Sequence, residues 1–295
     1  DFFVAFLRAM QKMEKEFIVI LVESFSVMAF SIFLILVHRN IISLSFGYLI
    51  GVLLSLITAC LIVRSYKNYL KPQFDKQLFL QILKDGFPML LFGILGFIFF
   101  STDQIMLGKM RGVTEVGYYS LITKGVLLIN LIPSLIMVAL FPHLSANVND
   151  KEKIKKLTKK VLLSFIALGF LISILVFFLA PIIPFFVGQS YEPSVGLTQF
   201  LIWIIIFMFP SVYLTYFYLA YNKQMINFYL TAICAIINLV LNFILIPKFG
   251  MYGAAATSIF AQFLNFILLL IFSRKLLKEL PKLIDINENS ISNIN

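Results

Sequence analysis

Two ionisable side chains lie inside apolar segments of this sequence at positions that could bring them together. Asp103 lies near the end of one apolar segment, and Lys124 lies inside the next. Each is about ten residues from the centre of the connection, so an antiparallel helix pair would place both at similar depth. A charge in apolar surroundings is costly unless it is paired or faces a cavity. We therefore expect Asp103 and Lys124 to meet or to line one cavity.

Three interpretations of this pair stay open. The two charges could form a structural ion pair that neutralises both. They could bind a substrate or an ion directly, because ionisable residues in such segments commonly mark a transport pathway. They could also lie at a water interface and have no functional role.

Polar residues form stripes along two neighbouring apolar segments near the end of the sequence. The residues recur at spacings of three and four, which places them on one helical face in each segment. A turn at residues 247–250 would make the segments antiparallel, with Asn238 near the level of Ser258 and Thr231 near Asn265. Such stripes are typical of close helix packing, but they could also form the hydrated wall of a pathway. The first stripe is Asn227, Thr231, Cys234, Asn238 and Asn242; the second is Gly253 or Ala254, Thr257, Ala261 and Asn265.

The remaining candidate residues do not form a metal site. Glu23 lies about two turns into an apolar segment, where it could face a cavity or pair with a lysine. The cysteines Cys60 and Cys234 are far apart, and the histidines His38 and His143 have no companions at ligand spacing. The sequence therefore predicts neither a metal site nor a cofactor.

The elements that position these side chains must lie in a membrane. The chain has 295 residues, of which 61% are hydrophobic and 13% are charged. Soluble domains average roughly 45–50% apolar and about 25% charged residues. An apolar surface of this extent would aggregate in water. The composition excludes a water-soluble enzyme, a disordered chain and a secreted disulfide scaffold, and it indicates an integral membrane protein.

Eight segments are long enough to cross a bilayer, whose apolar core needs about 20 residues of helix. They are continuous apolar runs rather than short alternating segments, which favours helices over barrel strands. We therefore predict an all-α membrane protein, a polytopic helix bundle. The predicted spans are residues 17–37, 41–63, 87–107, 117–141, 160–180, 196–219, 225–246 and 251–273.

Basic residues are distributed unevenly between the connections. Of 24 lysines and arginines, 19 fall in alternate connections, 4 fall in the others, and Lys124 lies within a span. The positive-inside rule makes the basic side cytoplasmic, so both ends of the sequence are predicted to be cytoplasmic. The net charge of +10 then reflects topology and attraction to anionic membrane lipids. No nucleic-acid partner is expected, because the basic residues form only short runs beside the spans.

The two ends and one linker differ in character from the spans. Residues 1–7 have the character of the end of an earlier helix, and the first residue is Asp1. Since no signal-peptide pattern precedes the first span, we expect a piece of a longer chain. The basic and polar segment 64–86 is the predicted domain boundary. The polar residues 279–295 are predicted to be a disordered tail.

Several strings resemble one family of membrane transporters. Residues 102–119, TDQIMLGKMRGVTEVGYY, resemble the seventh-helix motif of the Wzx-type oligosaccharide flippases. These polysaccharide biosynthesis exporters belong to the MATE-like superfamily of multidrug and oligosaccharide-lipid transporters. Residues 245–256, LIPKFGMYGAAA, resemble the hairpin between the last two helices of that family. Residues 5–16 resemble its link between helices four and five, and residues 185–203 resemble the entry to its helix ten.

The resemblance implies a twelve-helix protein with two six-helix lobes, of which the eight spans would be helices five to twelve. Residues 1–70 would then be the last two spans of a truncated first lobe, and residues 71–278 a complete second lobe. Residues 279–295 would be the cytoplasmic tail. The family flips polyprenyl-pyrophosphate-linked sugar repeat units from the cytoplasmic to the outer leaflet by alternating access, for O-antigen, capsule or exopolysaccharide synthesis.

The resemblance also implies a bacterial plasma-membrane protein with a cationic cavity for the pyrophosphate. Lys124 and Arg111 would then be the cavity cations, with Arg8 and Lys15 at its cytoplasmic mouth. Asp103 occupies the acidic position of the motif. The implied partners are the lipid-linked oligosaccharide, membrane lipids, and a polysaccharide polymerase with its export machinery.

Other functions fit the sequence less well. An ion-coupled drug exporter or a flippase for lipid-linked peptidoglycan precursors would share the fold, although Lys124 argues against cationic drugs. A membrane enzyme would need a large polar loop or clustered carboxylates, and a scaffold would leave Asp103 and Lys124 unexplained. The sequence has no nucleotide-binding glycine-rich loop. The energy would therefore come from an ion gradient or from consumption of the product, and Asp103 or Glu23 could titrate if protons were the coupling ion.

Overall fold

The structure is a computed structural model that describes residues 2–10, 12–64, 66, 75–148 and 150–292. Within these ranges, the side chains of residues 8, 9, 41, 84, 85, 88, 89, 91–100 and 279–292 are not described.

The described residues fold into helices and contain no strand, which confirms the predicted all-α class. In the described part of the chain eleven α-helices follow one another, with short 3-10 turns at Ala180–Ile182, Gln189–Tyr191 and Ile202–Ile204. The helices are α1 (Phe2–Ala9), α2 (Met13–His38), α3 (Ile41–Arg64), α4 (Lys76–Arg111), α5 (Val113–Ile129), α6 (Leu131–Ala146), α7 (Lys151–Leu179), α8 (Ile183–Val187), α9 (Ser194–Leu201), α10 (Ile205–Ala220) and α11 (Gln224–Ser292).

The apolar helices make this a multi-pass membrane protein. Among the described residues, six helical stretches are long and apolar enough to cross a bilayer. One of them, Gln224–Lys278, contains non-helical backbone at Gly250 and covers two of the predicted spans. The predicted span at residues 87–107 lies in α4, where the side chains of residues 91–100 are not described. The count of eight spans is thus approximate, while the helical architecture is confirmed.

Breaks in the helices have local causes. Gly112 separates α4 from α5 with φ of 96°, and Gly250 bends α11 with φ of 56° and ψ of −134°. Both conformations favour glycine, which has no Cβ. The predicted span 117–141 lies in α5 and α6, which join at Asn130 with helical φ of −68° and ψ of −10°. Pro133 cannot donate a hydrogen bond to the carbonyl four residues earlier, so the helical ladder is weakened at this point.

The chain separates into two compact units, residues Asp1–Leu83 and Lys84–Asn295. The predicted boundary at residues 70 and 71 lies among residues 67–74, outside the described part, and stays a prediction. The predicted tail, residues 279–295, also stays a prediction, since side chains beyond Lys278 are not described.

The first unit is built on the close pairing of α2 and α3. A Cβ added at Gly47 would lie 2.5 Å from the Cα of Ser31, and one at Gly51 would lie 2.5 Å from the amide nitrogen of Val27. Glycine at both positions therefore lets the two backbones approach, as in other membrane helix pairs.

The second unit is organised around α10, which packs against α6, α7 and α11. Tyr213 and Tyr218 of this helix are 0% exposed. The hydroxyl of Tyr213 lies 2.7 Å from that of Thr158 on α7, and Tyr218 donates to the carbonyl of Leu269 at 2.8 Å. Their polar ends are satisfied inside the helix bundle, which allows the rings to be buried.

The connection between α6 and α7 is fixed by two polar contacts within this unit. Asp150 accepts a hydrogen bond of 3.0 Å from the amide of Lys153 at the start of α7. The backbone and side-chain hydrogen bonds from Lys153 lower the pKa of Asp150. Tyr221, after α10, donates to the carbonyl of Val148 at 2.9 Å, and burial raises the pKa of Tyr221 to about 12. A tyrosine is already protonated at neutral pH, and the raised pKa keeps the Tyr221 hydroxyl a donor at higher pH as well.

Candidate functional site

Asp103 is the centre of a buried hydrogen-bond cluster in the second unit. Its side chain is 4% exposed. Tyr119 donates to Asp103 Oδ2 at 2.7 Å, and Asn242 donates to Oδ1 at 2.6 Å. Ser258 also donates to Oδ2. The donors come from α5 and from both halves of α11, so one carboxylate of α4 ties these segments together.

Asn242 extends the cluster away from Asp103. Its side-chain amide also donates to Asn238 Oδ1 at 3.0 Å, and its own Oδ1 accepts a hydrogen bond from Thr257. The hydroxyl of Thr257 lies 2.8 Å from the carbonyl of Ala254. The Asp103 cluster, as the term is used below, consists of Asp103, Tyr119, Asn238, Asn242, Thr257 and Ser258.

One polar atom of the cluster has no partner within the described part of the chain. It is Asn238 Nδ2, on a residue that is 1% exposed. Leaving a buried donor unpaired is costly. The interior of the cluster is therefore not fully satisfied by its own side chains.

The oxygen atoms of the cluster are suited to a hard cation. Asp103, Asn238, Asn242 and Thr257 supply carboxylate, amide and hydroxyl oxygens, and Ala254 adds a carbonyl. Such cations prefer oxygen ligands. Among the described residues, no lysine or arginine forms an ion pair with Asp103, so its negative charge is balanced only by hydrogen-bond donors. The arrangement can accept a metal cation or a proton. It lacks the three or more His, Cys, Asp or Glu side chains of a transition-metal site within the described ranges.

A small cavity of about 60 Å³ adjoins Asp103 on the side of Tyr119. Gln104, Thr123 and Gln262 contribute polar atoms to its lining. A water molecule needs roughly 10–15 Å³ of such space and two or more polar partners. The cavity is therefore large and polar enough for ordered water beside the carboxylate.

The predicted meeting of Asp103 and Lys124 is wrong. Asp103 is buried, whereas Lys124 is exposed and does not line the cavity beside Asp103. The two residues were placed at similar depth, but depth does not determine the face. Lys124 follows Tyr119 by five positions, which is a rotation of about 140° on a helix of 3.6 residues per turn. Tyr119 faces Asp103, so Lys124 points to another side of α5.

Arg111 contacts an acid that the sequence argument did not consider. Its Nε lies 3.2 Å from Glu115 Oε1, with the two side chains 40% and 26% exposed. Glu115 Oε2 also accepts a hydrogen bond of 2.8 Å from the amide of Met251. Arg111 therefore takes part in a contact between the α4–α5 turn and the bend of α11.

The candidate residues of the first unit have local partners. Glu23 on α2 accepts a hydrogen bond of 3.1 Å from Ser55 on α3. Lys15 donates to the hydroxyl of Tyr66 at 2.9 Å. The side chain of Arg8 lies outside the described residues.

The predicted hairpin within α11 is observed, and it brings part of the two polar stripes together. Thr231 lies 3.5 Å from Asn265 Oδ1, as the turn at residues 247–250 predicts. Asn238 accepts a hydrogen bond of 3.0 Å from Asn242, and Asn242 and Ser258 donate to the same Asp103 carboxylate. The expected position of Asn238 near the level of Ser258 stays a prediction. Ser258 reaches Asp103, so the hairpin and α4 share one polar interior.

Sequence reasoning missed Tyr119 and Glu115. Tyr119 is 1% exposed and donates to Asp103, but the sequence argument did not include it among the candidate residues. A signal for it existed, because Tyr119 lies at the end of the same motif that contains Asp103. No sequence signal pointed to Glu115, because its partner is a backbone amide 136 residues further along the chain.

The described helices define a multi-pass helical membrane protein. Residues 1–148 match the family described as polysaccharide biosynthesis protein, and residues 88–244 match the MatE family. The first match covers half of the chain. The chain therefore belongs to the polysaccharide biosynthesis protein family of the MATE-like superfamily, as its motifs indicate.

Two relatives illustrate this family and fold. The chain is 26% identical over 183 residues to the capsular polysaccharide biosynthesis protein CapF of Staphylococcus aureus, covering 61% of this chain and 46% of that protein. The lipid II flippase MurJ, in an inward closed conformation, has a TM-score of 0.66 at 19% identity, covering 86% of this chain and 54% of MurJ. The chain thus shares its fold with a flippase and spans about half the length of these relatives.

Proposed function

We propose that this protein flips polyprenyl-pyrophosphate-linked oligosaccharide repeat units from the cytoplasmic to the outer leaflet of a bacterial plasma membrane. Membership of the polysaccharide biosynthesis family supports the substrate class, and the flippase-like fold supports the transport mode. The observation that carries a coupled mechanism is the buried carboxylate of Asp103, which joins α4, α5 and α11 without a basic partner among the described residues.

In this proposal the Asp103 cluster binds the coupling cation. A carboxylate without a cationic partner is costly in an apolar helix bundle, even when it accepts hydrogen bonds. A cation among the oxygens of Asp103, Asn242 and Thr257 would offset that charge and hold the helices together. Removing the cation would loosen the same contacts. Occupancy of one site can thereby bias two arrangements of the helices, which is the requirement for coupling.

Lys124 is the proposed contact for the pyrophosphate. It is exposed on α5 and makes no ion pair among the described residues. Its charge is therefore available to an anionic ligand. Arg111 is a weaker candidate, because its guanidinium already lies against Glu115. Arg8 and Lys15 stay predictions for the cytoplasmic mouth of the cavity, and Glu23 stays a prediction for the pathway within the first span.

Alternating access would involve the breaks in the helices. Asn130 lies at the end of α5, and the bend at Gly250 divides α11 into two halves. These two helices carry the side chains that surround Asp103. Bending at these points would let α5 and the halves of α11 move as separate rods. A polar headgroup could then pass while the polyprenyl tail stays in lipid. The polysaccharide polymerase and its export machinery would act on the flipped product.

Transport of a lipid-linked oligosaccharide by the full-length protein in proteoliposomes tests the proposal. With a sodium gradient, we expect wild-type protein to move the substrate and Asp103→Asn to lose most of this activity. The variant should still fold, because asparagine has the same volume and keeps one acceptor oxygen, but with a lower thermal midpoint because the hydrogen bonds to the charged carboxylate are lost. Asp150→Asn, outside the spans, is the matched control. Transport by Asp103→Asn at the wild-type rate would exclude the coupling role, and absence of substrate movement by the wild type would exclude the function.

A further inference from the structure

Buried polar side chains continue from the Asp103 cluster along the first half of α11. Asn242, Asn238, Thr231 and Asn227 follow one another at spacings of four, seven and four residues. The distance from Asn242 to Asn227 is about 22 Å at 1.5 Å per residue. The three asparagines are at most 3% exposed. The line thus leads from Asp103 to the beginning of α11.

The far end of this line is held by long hydrogen bonds. Thr231 Oγ1 lies 3.5 Å from Oδ1 of Asn227 and 3.5 Å from Oδ1 of Asn265. Asn227 Nδ2 lies 3.5 Å from Thr215 on α10. Typical hydrogen bonds of this kind are about 2.7–3.0 Å long. The oxygens at this end are therefore close enough to surround a small cation and loosely enough bound to rearrange around it.

Two small buried side chains lie at the middle of the line. Cys234 lies between Asn238 and Thr231 on the same stripe and is 0% exposed. On the second half of α11, Ala261 occupies the corresponding place between Thr257 and Asn265, also at 0%. The side-chain nitrogen of Asn238 borders this step and has no hydrogen-bond partner among the described residues. A buried N–H donor of this kind is met by ordered water, so this step is polar enough to hold a water molecule beside a passing cation.

We propose that this line is the route by which the coupling cation passes between the Asp103 cluster and the membrane side at which α11 begins. The inference rests on the proposed function, because it takes the Asp103 cluster as the cation site. Oxygens of asparagine and threonine replace water around a hard cation in stages. The route is closed in this structure at Cys234 and Ala261. Separation of the two halves of α11 opens it, and in the predicted orientation it leads to the cytoplasm.

Cys234 is a native reporter of this route. Full-length protein carrying Cys60→Ala, in vesicles of defined orientation, is treated with a charged, membrane-impermeant methanethiosulfonate. We expect Cys234 to react from the cytoplasmic side, and sodium chloride to slow the reaction about tenfold relative to choline chloride, since ligand binding reduces the open population. Reaction from the outer side only, or from neither side, would overturn the route.

A substitution at the constriction provides a second test. Ala261→Leu should block modification of Cys234 but preserve sodium-dependent thermal stabilisation, which reports the Asp103 cluster. Ala232→Leu, at a half-buried position of α11 outside the stripe, is the matched control and should leave modification unchanged. If Ala261→Leu fails to fold, Asn265→Leu tests the far end of the route in the same way. Unchanged modification in a folded Ala261→Leu or Asn265→Leu protein contradicts the proposal.

The two proposals fail in different ways. If Asp103→Asn retains transport and sodium-dependent stabilisation, the proposed cation site is wrong, and the route is overturned with it. If Asp103→Asn loses both but Cys234 never reacts from the cytoplasmic side, the cation site stands and the route alone is overturned.

Discussion

Glu115 on α5 accepts a hydrogen bond of 2.8 Å from the backbone amide of Met251, which begins the second half of α11. The first amides of a helix segment lack intrahelical partners, and a negative charge at that end is stabilised by the helix dipole. Glu115 thus caps a helix from a distant part of the sequence. Because Thr257 and Ser258 lie one to two turns beyond Met251, this contact also sets their position opposite Asp103.

The cap predicts different effects for two substitutions of Glu115. Glu115→Gln keeps an oxygen acceptor for Met251 and loses the half-exposed ion pair with Arg111, which is worth about 0–1 kcal/mol. Glu115→Ala leaves the amide unpaired at a cost of about 1–3 kcal/mol. We expect a clearly lower thermal midpoint in detergent for Glu115→Ala only. Equal destabilisation by both variants would assign the effect to the charge rather than to the cap.

Gly250 should tolerate no side chain. Its φ of 56° with ψ of −134° is a glycine conformation, and an added Cβ would overlap Glu115 Oε2. Gly250→Ala should destabilise the protein by about 1–3 kcal/mol, measured as the thermal midpoint. Gly117→Ala is the matched control, since a Cβ there has no atom within 4 Å. If Gly250→Ala were as stable as Gly117→Ala, the bend would accept a Cβ and would not require glycine.

Tyr119 should affect the Asp103 cluster through its hydroxyl alone. Tyr119→Phe removes one donor from the carboxylate and leaves the ring packing intact. Hydrogen bonds to charged groups contribute about 1.5–3 kcal/mol, so we expect a lower thermal midpoint and weaker sodium-dependent stabilisation. Tyr118→Phe is the control, because Tyr118 makes an edge contact with Tyr191 rather than a contact with Asp103. If both variants behave alike, the Tyr119 hydroxyl does not support the cluster.

Lys124 should matter for transport and not for stability. Lys124→Gln removes an exposed charge without a partner in the described residues, so the thermal midpoint should change little. Transport of the pyrophosphate-linked substrate should fall severalfold, whereas the exposed Lys109→Gln should have no such effect. Measuring transport alongside the midpoint separates the two outcomes. Full transport by Lys124→Gln would contradict the binding role.

Exchanging the charges of Asp103 and Lys124 provides a further check on their separation. If they formed an ion pair, Asp103→Lys with Lys124→Asp would be as stable as the wild type. The structure instead predicts that the exchange destabilises the fold, because it places a lysine among the donors Tyr119, Asn242 and Ser258. Wild-type stability of the double variant would show that the residues are paired.

Much of the architecture could be predicted from the sequence, because membrane helices are local structures. The lipid core has no water to satisfy a backbone, so each apolar segment must satisfy its own amides and carbonyls as a helix. Apolar length therefore located α2, α3 and the long stretches that follow. Thr231 and Asn265 lie at similar distances along the chain from the turn at residues 247–250. In an antiparallel helical hairpin such residues lie side by side, so their contact could be predicted.

The partners of the polar residues depended on rotation and on distant contacts. The sequence singled out Asp103 and Lys124 by their charge inside apolar segments, but depth along a helix does not decide which face meets a neighbour. A rotation of about 140° directed Lys124 away and brought Tyr119 to the carboxylate instead. The backbone amide of Met251 could not be singled out from the sequence, because every residue except proline carries a backbone N–H group.

The sequence by itself thus determined that the chain is a multi-pass helical membrane protein, which positions are polar inside it, and which family its motifs resemble. Only the tertiary structure decided that Asp103 meets Tyr119, Asn242 and Ser258, and that Glu115 caps the bend at Gly250. The physical reason is range. Hydrophobic burial and backbone satisfaction act within one segment, whereas a buried carboxylate acquires its partners from helices far apart in sequence, at orientations set by the packing of the whole unit.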